Sequence, residues 1–272
     1  MDLAGRNDEY ASIADLYDHV VPYRTRTDID FFVEAARLSG GPVLELGCGT
    51  GRVLIPTARS GCEIVGFDLS ANMLQICEKR LLDEKDAVRS RVRLIRGDMR
   101  KFDLASTFSL VTLPFRPFQH LTTVEDQMSC LASIRRHLVP GGSLIVDLFN
   151  PWLEALVRDD LGREIEDEPE FTTPDGRRVV RRHRVISRDY ANQISHIELI
   201  YYVTHPGGRG ERLVHDQTPG WLWVESTVFL DSADCIVHCW WDRCVSVTSC
   251  RSISRRYRHA SAGHRLVPGS GS

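Results

Sequence analysis

The sequence predicts an α/β fold, with a mostly parallel β-sheet, helices on both faces and an appended antiparallel β-meander. Short apolar strands alternate with amphipathic helices over residues 28–149, which is the order of a parallel sheet. The first strand runs into glycines at every second position, within residues 43–51. After Pro151 this alternation ends, and residues 193–205 show a two-residue apolar period. That period is typical of antiparallel strands.

The size and charge of the chain limit what it can be. Its 272 residues can form one large domain, or one domain with an insert. The 42% of hydrophobic residues and 26% of charged residues are ordinary for a globular protein. The net charge of −3 argues against binding nucleic acid or an acidic membrane by overall charge. The sequence has no membrane-length apolar run, and its N-terminus is polar and acidic. We therefore predict a cytoplasmic protein with no membrane partner.

The parallel-sheet part begins with two helices. An amphipathic helix is predicted over 10–17, ending before Pro22, and a second over 28–38, stopped by the glycines and proline of 40–42. The same periodicities predict the remaining elements, which are strands over 43–46, 63–68, 92–95, 108–113 and 143–149 and helices over 52–59, 71–82 and 124–138.

The antiparallel part follows a short helix over 152–157. Alternation is clearest in 193–205, where Ile197, Leu199, Tyr201 and Val203 share one face. Turn signals at 174–176 and 206–208 separate this strand from neighbours over 178–187 and 211–215. We therefore predict an antiparallel meander beside the parallel sheet.

The glycines after the first strand point to a bound nucleotide-like group. Glycine lets the backbone turn sharply and approach a ligand, and the helix behind it offers free N–H groups. Gly47, Gly49 and Gly51 depart from the Gly-x-Gly-x-x-Gly spacing of dinucleotide sites. Asp68 ends the second strand, where a carboxylate can accept both hydroxyls of a ribose, and Asp98 follows the third, where it could meet an adenine amino group.

These motifs resemble those of the class I S-adenosylmethionine-dependent methyltransferases, whose fold is Rossmann-like. Residues 45–51, Glu-Leu-Gly-Cys-Gly-Thr-Gly, resemble the first motif of that family. The Phe-Asp-Leu-Ser of 67–70 with Met73 and Leu74 resembles the second, and the Gly-Asp-Met of 97–99 resembles the adenine-contacting motif. The Leu-Val-Pro-Gly-Gly of 138–142 resembles a late motif, so the resemblance covers residues 10–150.

The resemblance implies S-adenosyl-L-methionine as the cofactor and assigns contacts to it. Glu45 and the backbone of 47–51 would hold the methionine part, Asp68 the ribose and Asp98 the adenine. The cofactor-binding residues so predicted are Glu45, Gly47, Cys48, Gly49, Gly51, Asp68, Leu69, Met73, Asp98 and Met99.

Two residues are candidates for the catalytic step. Methyl transfer is an in-line displacement, so the protein must mainly align the acceptor and exclude water. His120 follows the fourth strand, at the edge where acceptors approach, and could carry a proton. Tyr17 lies on the N-terminal helix, which in this family often covers the cofactor. The arrangement is similar to small-molecule N-methyltransferases, including those acting on nucleotide-linked amino sugars. We predict methylation of a small-molecule nitrogen or oxygen.

Other functions remain open. An RNA or tRNA methyltransferase is one alternative, because six arginines cluster in the meander. However, stacking aromatics are not interleaved with them, and charged residues also protect exposed strands. The Asn/Asp-Pro-Pro-aromatic motif of nucleic-acid amino methyltransferases is replaced by Thr-Leu-Pro-Phe at 112–115. An NAD-dependent oxidoreductase and a non-catalytic S-adenosylmethionine-binding protein are the other two alternatives. The sequence does not indicate the oligomeric state.

The C-terminal segment departs from the family. After residue 218 we find strand-like stretches at 221–224 and 227–230 but no closing helix. Four cysteines between 235 and 250 lack the paired spacing of a zinc site, so we predict no metal. We divide the chain into a cofactor-binding core with an N-terminal lid helix over 1–150, an antiparallel insert over 151–217 on the acceptor side, and an atypical tail over 218–272, partly disordered at its end.

Overall fold

The computed structural model confirms the α/β class, with a central sheet of parallel strands and a separate antiparallel sheet. It describes residues 10–20, 26–148, 153–217, 235–240 and 243–248. The central sheet has seven strands in the order β11-β12-β5-β4-β1-β2-β3, and the antiparallel sheet has the order β10-β9-β8-β6, with β7 pairing to β8.

The elements are numbered here in chain order. The described helices are α1 Ala14–Tyr17, α2 Ile29–Ser39, α3 Leu54–Arg59, α4 Ala71–Leu82, α5 Asp86–Arg89, α6 Val124–His137 and α7 Leu153–Val157, with a 3₁₀ turn at Pro117–His120. The strands are β1 Val43–Leu46, β2 Ile64–Asp68, β3 Val92–Arg96, β4 Phe108–Leu113, β5 Leu138–Leu148, β6 Glu164–Glu166, β7 Phe171–Thr172, β8 Arg178–Asp189, β9 Ile194–Thr204, β10 Gly210–Gln217, β11 Cys235–Trp240 and β12 Arg243–Thr248.

Strand β1 lies in the middle of the central sheet. It pairs in parallel with β2 through Val43 and Ile64, and with β4 through Val43 and Leu110. All four residues of β1 are buried, as expected for a strand covered on both faces. Because these strands are parallel, their carboxyl ends meet at one edge, and the segments that follow them share that edge.

Two apolar clusters cover the two faces of this sheet. Side chains alternate along β1, so Val43 packs in the cluster with α2, α3 and α4, while Leu44 and Leu46 pack in the cluster with α6. Burial of these side chains, at roughly 1.5–3 kcal/mol each, is the main favourable term for this half of the fold.

The antiparallel sheet has its own core, which α1 covers. Leu199, Tyr201 and Val203 of β9 are buried on one face, with Ile197 packed against them. Ile13, Leu16 and Val20 from the N-terminal segment are buried in the same cluster, which also contains Phe171 and Val179. The predicted apolar face of this strand is therefore confirmed, and α1 belongs to the core of the antiparallel sheet.

Several predicted boundaries are wrong. The N-terminal helix predicted over 10–17 spans only Ala14–Tyr17. The helix predicted from residue 52 begins at Leu54, because the glycine loop continues in turns up to Val53. Helix α6 ends at His137, and Pro140-Gly141-Gly142 lies inside β5. The pairing of β4 with β5 shifts register between Phe108 and Leu110, which leaves these residues as a bulge in the strand.

The last two described strands extend the central sheet. Strand β12 pairs antiparallel with β5, from Cys244↔Leu148 to Thr248↔Leu144, and β11 pairs antiparallel with β12. The sequence did not predict these strands, because this stretch was considered only for the spacing of its cysteines. The strand-like stretches predicted at 221–224 and 227–230 lie outside the described residues, and the division of the chain into three segments stays a prediction.

The described residues add two further observations. No helix among them has the length and apolar character that crossing a membrane requires. Cys48, Cys62, Cys77 and Cys130 are free thiols, and all except Cys62 are buried.

Candidate active site

The glycine loop after β1 adopts a backbone that other residues reach only with strain. Gly47, Gly49 and Gly51 have φ angles of 70°, 53° and 84°, in the left-handed region. A Cβ on Gly47 would lie 2.5 Å from the Cβ of Pro117, and one on Gly51 would lie 2.6 Å from the Sγ of Cys77. A Cβ on Gly49 would meet no atom within 4 Å. Gly47 and Gly51 are therefore required for packing, whereas Gly49 leaves open space.

Asp68 connects the end of β2 to this loop. One oxygen of its carboxylate accepts the backbone N–H of Gly49 at 2.7 Å, and the other accepts that of Ser70 at 2.8 Å. The Ser70 hydroxyl in turn accepts the N–H of Met73 and caps α4. The side chain of Asp68 is thus held at the edge of the sheet, where β1 and β2 end.

Asp98 is already held by a neighbouring cation. Its carboxylate accepts hydrogen bonds from the guanidinium of Arg100 at 3.0 and 2.6 Å. Arg100 also contacts Asp126 at 3.3 Å. An adenine amino group would therefore meet a carboxylate whose position Arg100 determines. The sequence did not predict this partner.

Glu45 is a buried carboxyl group behind the glycine loop. Its exposed fraction is 1%, and its Oε2 has no hydrogen-bond partner among the residues that the structure describes. Burial, reinforced by the nearby Asp68, raises the pKa of Glu45 to about 8, although Arg52 opposes the shift. At neutral pH this group is mostly protonated and can ionise when a cation binds beside it.

The carboxyl ends of β1–β4 enclose a cavity of about 210 Å³. Seven of the predicted cofactor residues line it, namely Gly47, Gly49, Asp68, Leu69, Met73, Asp98 and Met99. Among the described residues, Glu45, Cys48 and Gly51 are not part of this lining. Glu45 precedes the glycine loop, whereas Cys48 and Gly51 belong to it, and Glu45 and Cys48 are 1% and 4% exposed.

The opposite wall is aromatic and includes both predicted catalytic residues. Tyr17 and His120 line the cavity together with Tyr10. The Tyr10 ring centre lies 6.5 Å from that of His120 and 4.7 Å from that of His215 on β10. Although the His120 residue as a whole is exposed, burial of its ring among these side chains, assisted by His215, lowers its pKa to about 4. His120 is therefore neutral at physiological pH.

The segment after β4 has an unusual backbone. Phe115 and Arg116 have φ angles of 64° and 70°, which costs non-glycine residues of order 1–3 kcal/mol each. The N–H of Phe115 donates to the buried Asp147 of β5 at 3.1 Å. Asp147 also pairs with Arg26, whose guanidinium lies 4.7 Å from the centre of the Phe115 ring. These contacts hold Phe115 against the cavity.

The sequence did not assign several lining residues to the site, and all of them except Ser70 lie outside its motifs. They are Tyr10, Ser70, Arg100, Pro114, Phe115, Pro117, Leu121 and Asp126. Tyr10 shares the helical period of Tyr17, and Pro114 to Pro117 directly precede His120, so proximity in sequence was the available signal.

The basic cluster of the meander is paired with carboxylates. Arg181 contacts Asp167 and Glu168 at 3.1 and 2.7 Å, and Arg188 contacts Asp160 at 2.6 Å. The other four arginines also have acidic partners, which are Asp15 and Asp175 for Arg177, Glu170 for Arg178, Glu166 for Arg182 and Glu198 for Arg184. Carboxylates from several parts of the chain thus pair with the arginines of this cluster within the protein.

Comparison with known proteins shows what this chain is similar to. Residues 43–142 match a family described as "Methyltransferase domain". The chain is 36% identical over 114 residues to a cypemycin N-terminal methyltransferase of a Streptomyces species, covering 42% of this chain and 44% of that protein. It is 33% identical over 156 residues to a dTDP-3-amino-3,6-dideoxy-alpha-D-glucopyranose N,N-dimethyltransferase of Streptomyces fradiae, covering 55% and 57%. The chain thus spans about half the length of these relatives.

Solved structures share the fold over most of the chain. DesVI of Streptomyces venezuelae superposes with a TM-score of 0.67 at 23% identity, covering 89% of this chain and 99% of that one. CalS10, an amino pentose methyltransferase of Micromonospora echinaspora solved with S-adenosylmethionine bound, gives 0.63 at 24%, covering 86% and 97%. Residues 43–142 thus match a methyltransferase domain, and the chain shares the Rossmann-like fold of S-adenosylmethionine-dependent methyltransferases.

The described residues fit the cofactor of this class. The unpartnered Oε2 of buried Glu45 offers a counter-charge for the ammonium of the methionine part. The open space in front of Gly49 leaves room for a ligand beside the loop backbone. The carboxylate of Asp68 faces the same cavity, at the position from which it can accept ribose hydroxyls.

Proposed function

We propose that this protein transfers the methyl group of S-adenosylmethionine to a nitrogen or oxygen of a small molecule, and we favour an amine. One observation carries the proposal: seven of the ten predicted cofactor residues and both predicted catalytic residues line one cavity. The amine is favoured because one relative is named as an N-terminal methyltransferase and the other as an N,N-dimethyltransferase of an amino sugar.

The residues of the chain divide the work of binding. We assign Asp68 to the ribose hydroxyls, Asp98 to the adenine amino group, and Glu45 with the backbone of 47–51 to the methionine part. When bound, the cofactor supplies a sulfonium with an activated methyl group. The chain must then bring the acceptor atom into line and keep water out, which can contribute roughly 7–11 kcal/mol to lowering a barrier.

His120 and Tyr17 would contact the acceptor. A neutral imidazole presents one nitrogen lone pair, which can accept an N–H or O–H of the acceptor and orient it. With a pKa near 4, His120 is a weak base, so we assign it alignment of the acceptor more than proton removal. The rings of Tyr10, Tyr17 and Phe115 line the cavity beside it and would limit the access of water.

The paired arginines support a small molecule over RNA as the acceptor. Binding a nucleic-acid backbone requires cations that can replace its counterions. Each of the six arginines of the meander already contacts a carboxylate, so a phosphate would have to compete with an internal ion pair.

The first experiment tests the cofactor. A ligand that binds the folded state raises the melting temperature in proportion to ln(1 + [L]/Kd). We expect S-adenosylhomocysteine to stabilise the protein and NAD to leave the melting temperature unchanged. Stabilisation by NAD alone would contradict the proposal and favour an oxidoreductase.

The second experiment tests the acceptor. Isotope-labelled cofactor is incubated with four groups of compounds: nucleotide-linked amino sugars, peptides with a free N-terminus, small hydroxylated compounds, and bulk tRNA. We expect label transfer to an amine, lowered about 10- to 100-fold by His120→Ala, because an aligning hydrogen bond to the acceptor is lost. Transfer to tRNA alone would favour the RNA alternative. Binding without transfer to any member would favour a non-catalytic protein.

A further inference from the structure

The N-terminal segment is hydrogen-bonded to the glycine loop through Asp18. The Thr50 hydroxyl donates to one oxygen of the Asp18 carboxylate at 2.6 Å, and the Arg80 guanidinium donates to the other at 3.0 Å. Arg80 also donates to the backbone carbonyl of Thr50 at 3.1 Å. Three parts of the chain, the N-terminal segment, the loop and α4, thus meet in one network, which we call the Asp18 latch.

The latch lies at the boundary of the cofactor cavity. Thr50 is 2% exposed and stands between Gly49 and Gly51 in the loop. Tyr17 directly precedes Asp18, and Tyr10 and Tyr17 line the same cavity as Gly47 and Gly49. The latch therefore joins two segments that line the cavity, the N-terminal segment and the glycine loop, while Asp18 itself is not among the described residues that line it.

A second ion pair holds the same segment to another part of the chain. Asp15 contacts Arg177 at 2.8 Å, next to the antiparallel sheet, and Ile13 and Leu16 are buried in the core of that sheet. Helix α1 is thus attached to the antiparallel sheet by apolar packing and by Asp15, and to the cofactor loop by Asp18. These two carboxylates are three residues apart in the sequence. Asp15 holds the segment to the antiparallel sheet, and Asp18 holds it to the glycine loop.

We propose that Asp18 is a positioning residue that fastens the segment 10–20 across the cofactor cavity and thereby slows release of the cofactor and of its demethylated product. This inference rests on the proposed function, because it assumes that the cavity binds S-adenosylmethionine. Asp18 acts through Thr50 and Arg80. A ligand beneath Tyr10 and Tyr17 leaves only when the segment moves, and the latch opposes that movement.

The size of the effect follows from the exposure of the latch. The Asp18 and Arg80 side chains are 31% and 41% exposed, so water screens part of their attraction. We expect loss of the latch to raise the dissociation rate constant of the ligand by about three- to ten-fold. The association rate constant should stay within about two-fold, since it depends mainly on encounter with the open site.

The test measures S-adenosylhomocysteine binding to the full chain by stopped-flow fluorescence. Asp18→Ala and Thr50→Val remove the latch from either end, Thr50→Ser keeps the hydroxyl, and Asp15→Ala is the matched control on the same helix. We expect faster dissociation for Asp18→Ala and Thr50→Val, and wild-type dissociation for Thr50→Ser and Asp15→Ala. Melting temperatures measured alongside report any general loss of stability.

Three outcomes would overturn the inference. Wild-type dissociation in Asp18→Ala would show that the latch does not hold the segment over the ligand. Equal acceleration in Asp15→Ala and Asp18→Ala would show that only the general stability of α1 matters. Failure of the wild-type protein to bind S-adenosylhomocysteine would overturn the proposed function together with this inference. The first two outcomes leave the proposed function intact.

Discussion

The two walls of the cavity are built in different ways. The wall formed by Gly47, Gly49 and Asp68 consists of strand ends and the turns that follow them, within a short stretch of the chain. The wall formed by Tyr17 and His120 combines the N-terminal segment with the loop after β4, and the antiparallel sheet supports it from behind. The first wall is local in sequence, and the second exists only after distant parts of the chain pack together.

This difference extends to the interactions that hold each wall. On the basis of the proposed function, we call the wall of Gly47, Gly49 and Asp68 the cofactor wall and the wall of Tyr17 and His120 the acceptor wall. Backbone N–H groups and glycine φ angles shape the cofactor wall, as the contacts of Gly49 and Ser70 with Asp68 show. Buried charges hold the acceptor wall, through the pairs Asp147–Arg26 and Arg26–Asp28. Although burial opposes it, hydrogen bonds from Arg52 and Arg26 lower the pKa of Asp28 and keep this chain of charges ionised. Substitutions in the two walls should therefore change different measured quantities.

The largest expected effect is on cofactor affinity, from Asp68→Ala. The substitution removes the acceptor for two ribose hydroxyls and leaves the N–H groups of Gly49 and Ser70 without their carboxylate partner. Hydrogen bonds to a charged group contribute roughly 1.5–3 kcal/mol each, so we expect Kd for S-adenosylhomocysteine to rise about 100-fold or more. Isothermal titration calorimetry measures this change.

The control for that experiment is Asp159→Ala, whose side chain is fully exposed. It should bind S-adenosylhomocysteine with wild-type affinity. If Asp68→Ala also does, Asp68 is not part of the cofactor wall.

The second effect should appear on the acceptor wall, from Asp147→Asn. The amide oxygen can still accept the N–H of Phe115, but the charge partner of Arg26 is lost. Breaking a buried pair costs about 3–5 kcal/mol when the remaining charge is uncompensated, and less here because Arg26 keeps Asp28. We expect a lower melting temperature and a KM for the methyl acceptor raised about three- to ten-fold, with Kd for S-adenosylhomocysteine within about two-fold of wild type.

Asp160→Asn separates this effect from simple destabilisation. Asp160 and Arg188 also form a buried ion pair, but away from the cavity lining. This variant should melt at a lower temperature with an unchanged KM for the acceptor. Equal changes of KM in both variants would mean that the two walls are not held independently.

The smallest effect concerns a proton on Glu45. Because burial raises its pKa to about 8, the free protein carries this proton at pH 7, and an ammonium bound beside Glu45 should displace it. We expect binding of S-adenosylhomocysteine to release nearly one proton in wild-type protein and none from this site in Glu45→Gln. Calorimetry at pH 7 in two buffers that differ in ionisation enthalpy measures the number released.

The same shift has a defined sign for stability. Between the ordinary value of 4.5 and about 8, Glu45 ionises in the unfolded chain but not in the folded free protein. The contribution of Glu45 to the free energy of unfolding is therefore fully present below pH 4.5 and is lost as the pH rises towards 8. Glu45→Gln should lose less stability than the wild type over this window. Parallel pH dependences in urea unfolding, or equal proton release on binding, would contradict the shifted pKa of Glu45.

The sequence was informative where a feature is repeated or local. Periodicity predicted α4 as Ala71–Leu82 and β4 as Phe108–Leu113 at their observed bounds. It also predicted the apolar face of β9. Periodicity failed where strand pairing determines the conformation. Strands β11 and β12 are short, and they form by pairing, β12 with β5 and β11 with β12. A short run with mixed composition has no clear period, so its conformation depends on the edge that it meets.

The cavity divides in the same way. Glycine spacing and acids after strand ends were visible in the sequence, because parallel strands bring consecutive carboxyl ends to one edge. The partners of those acids were not visible. Arg100 on Asp98, Asp147 beneath Phe115 and Thr50 on Asp18 each depend on how close the folded chain brings their atoms. Hydrogen bonds and ion pairs form only within about 3–4 Å, and for contacts between distant segments only the tertiary structure sets that distance.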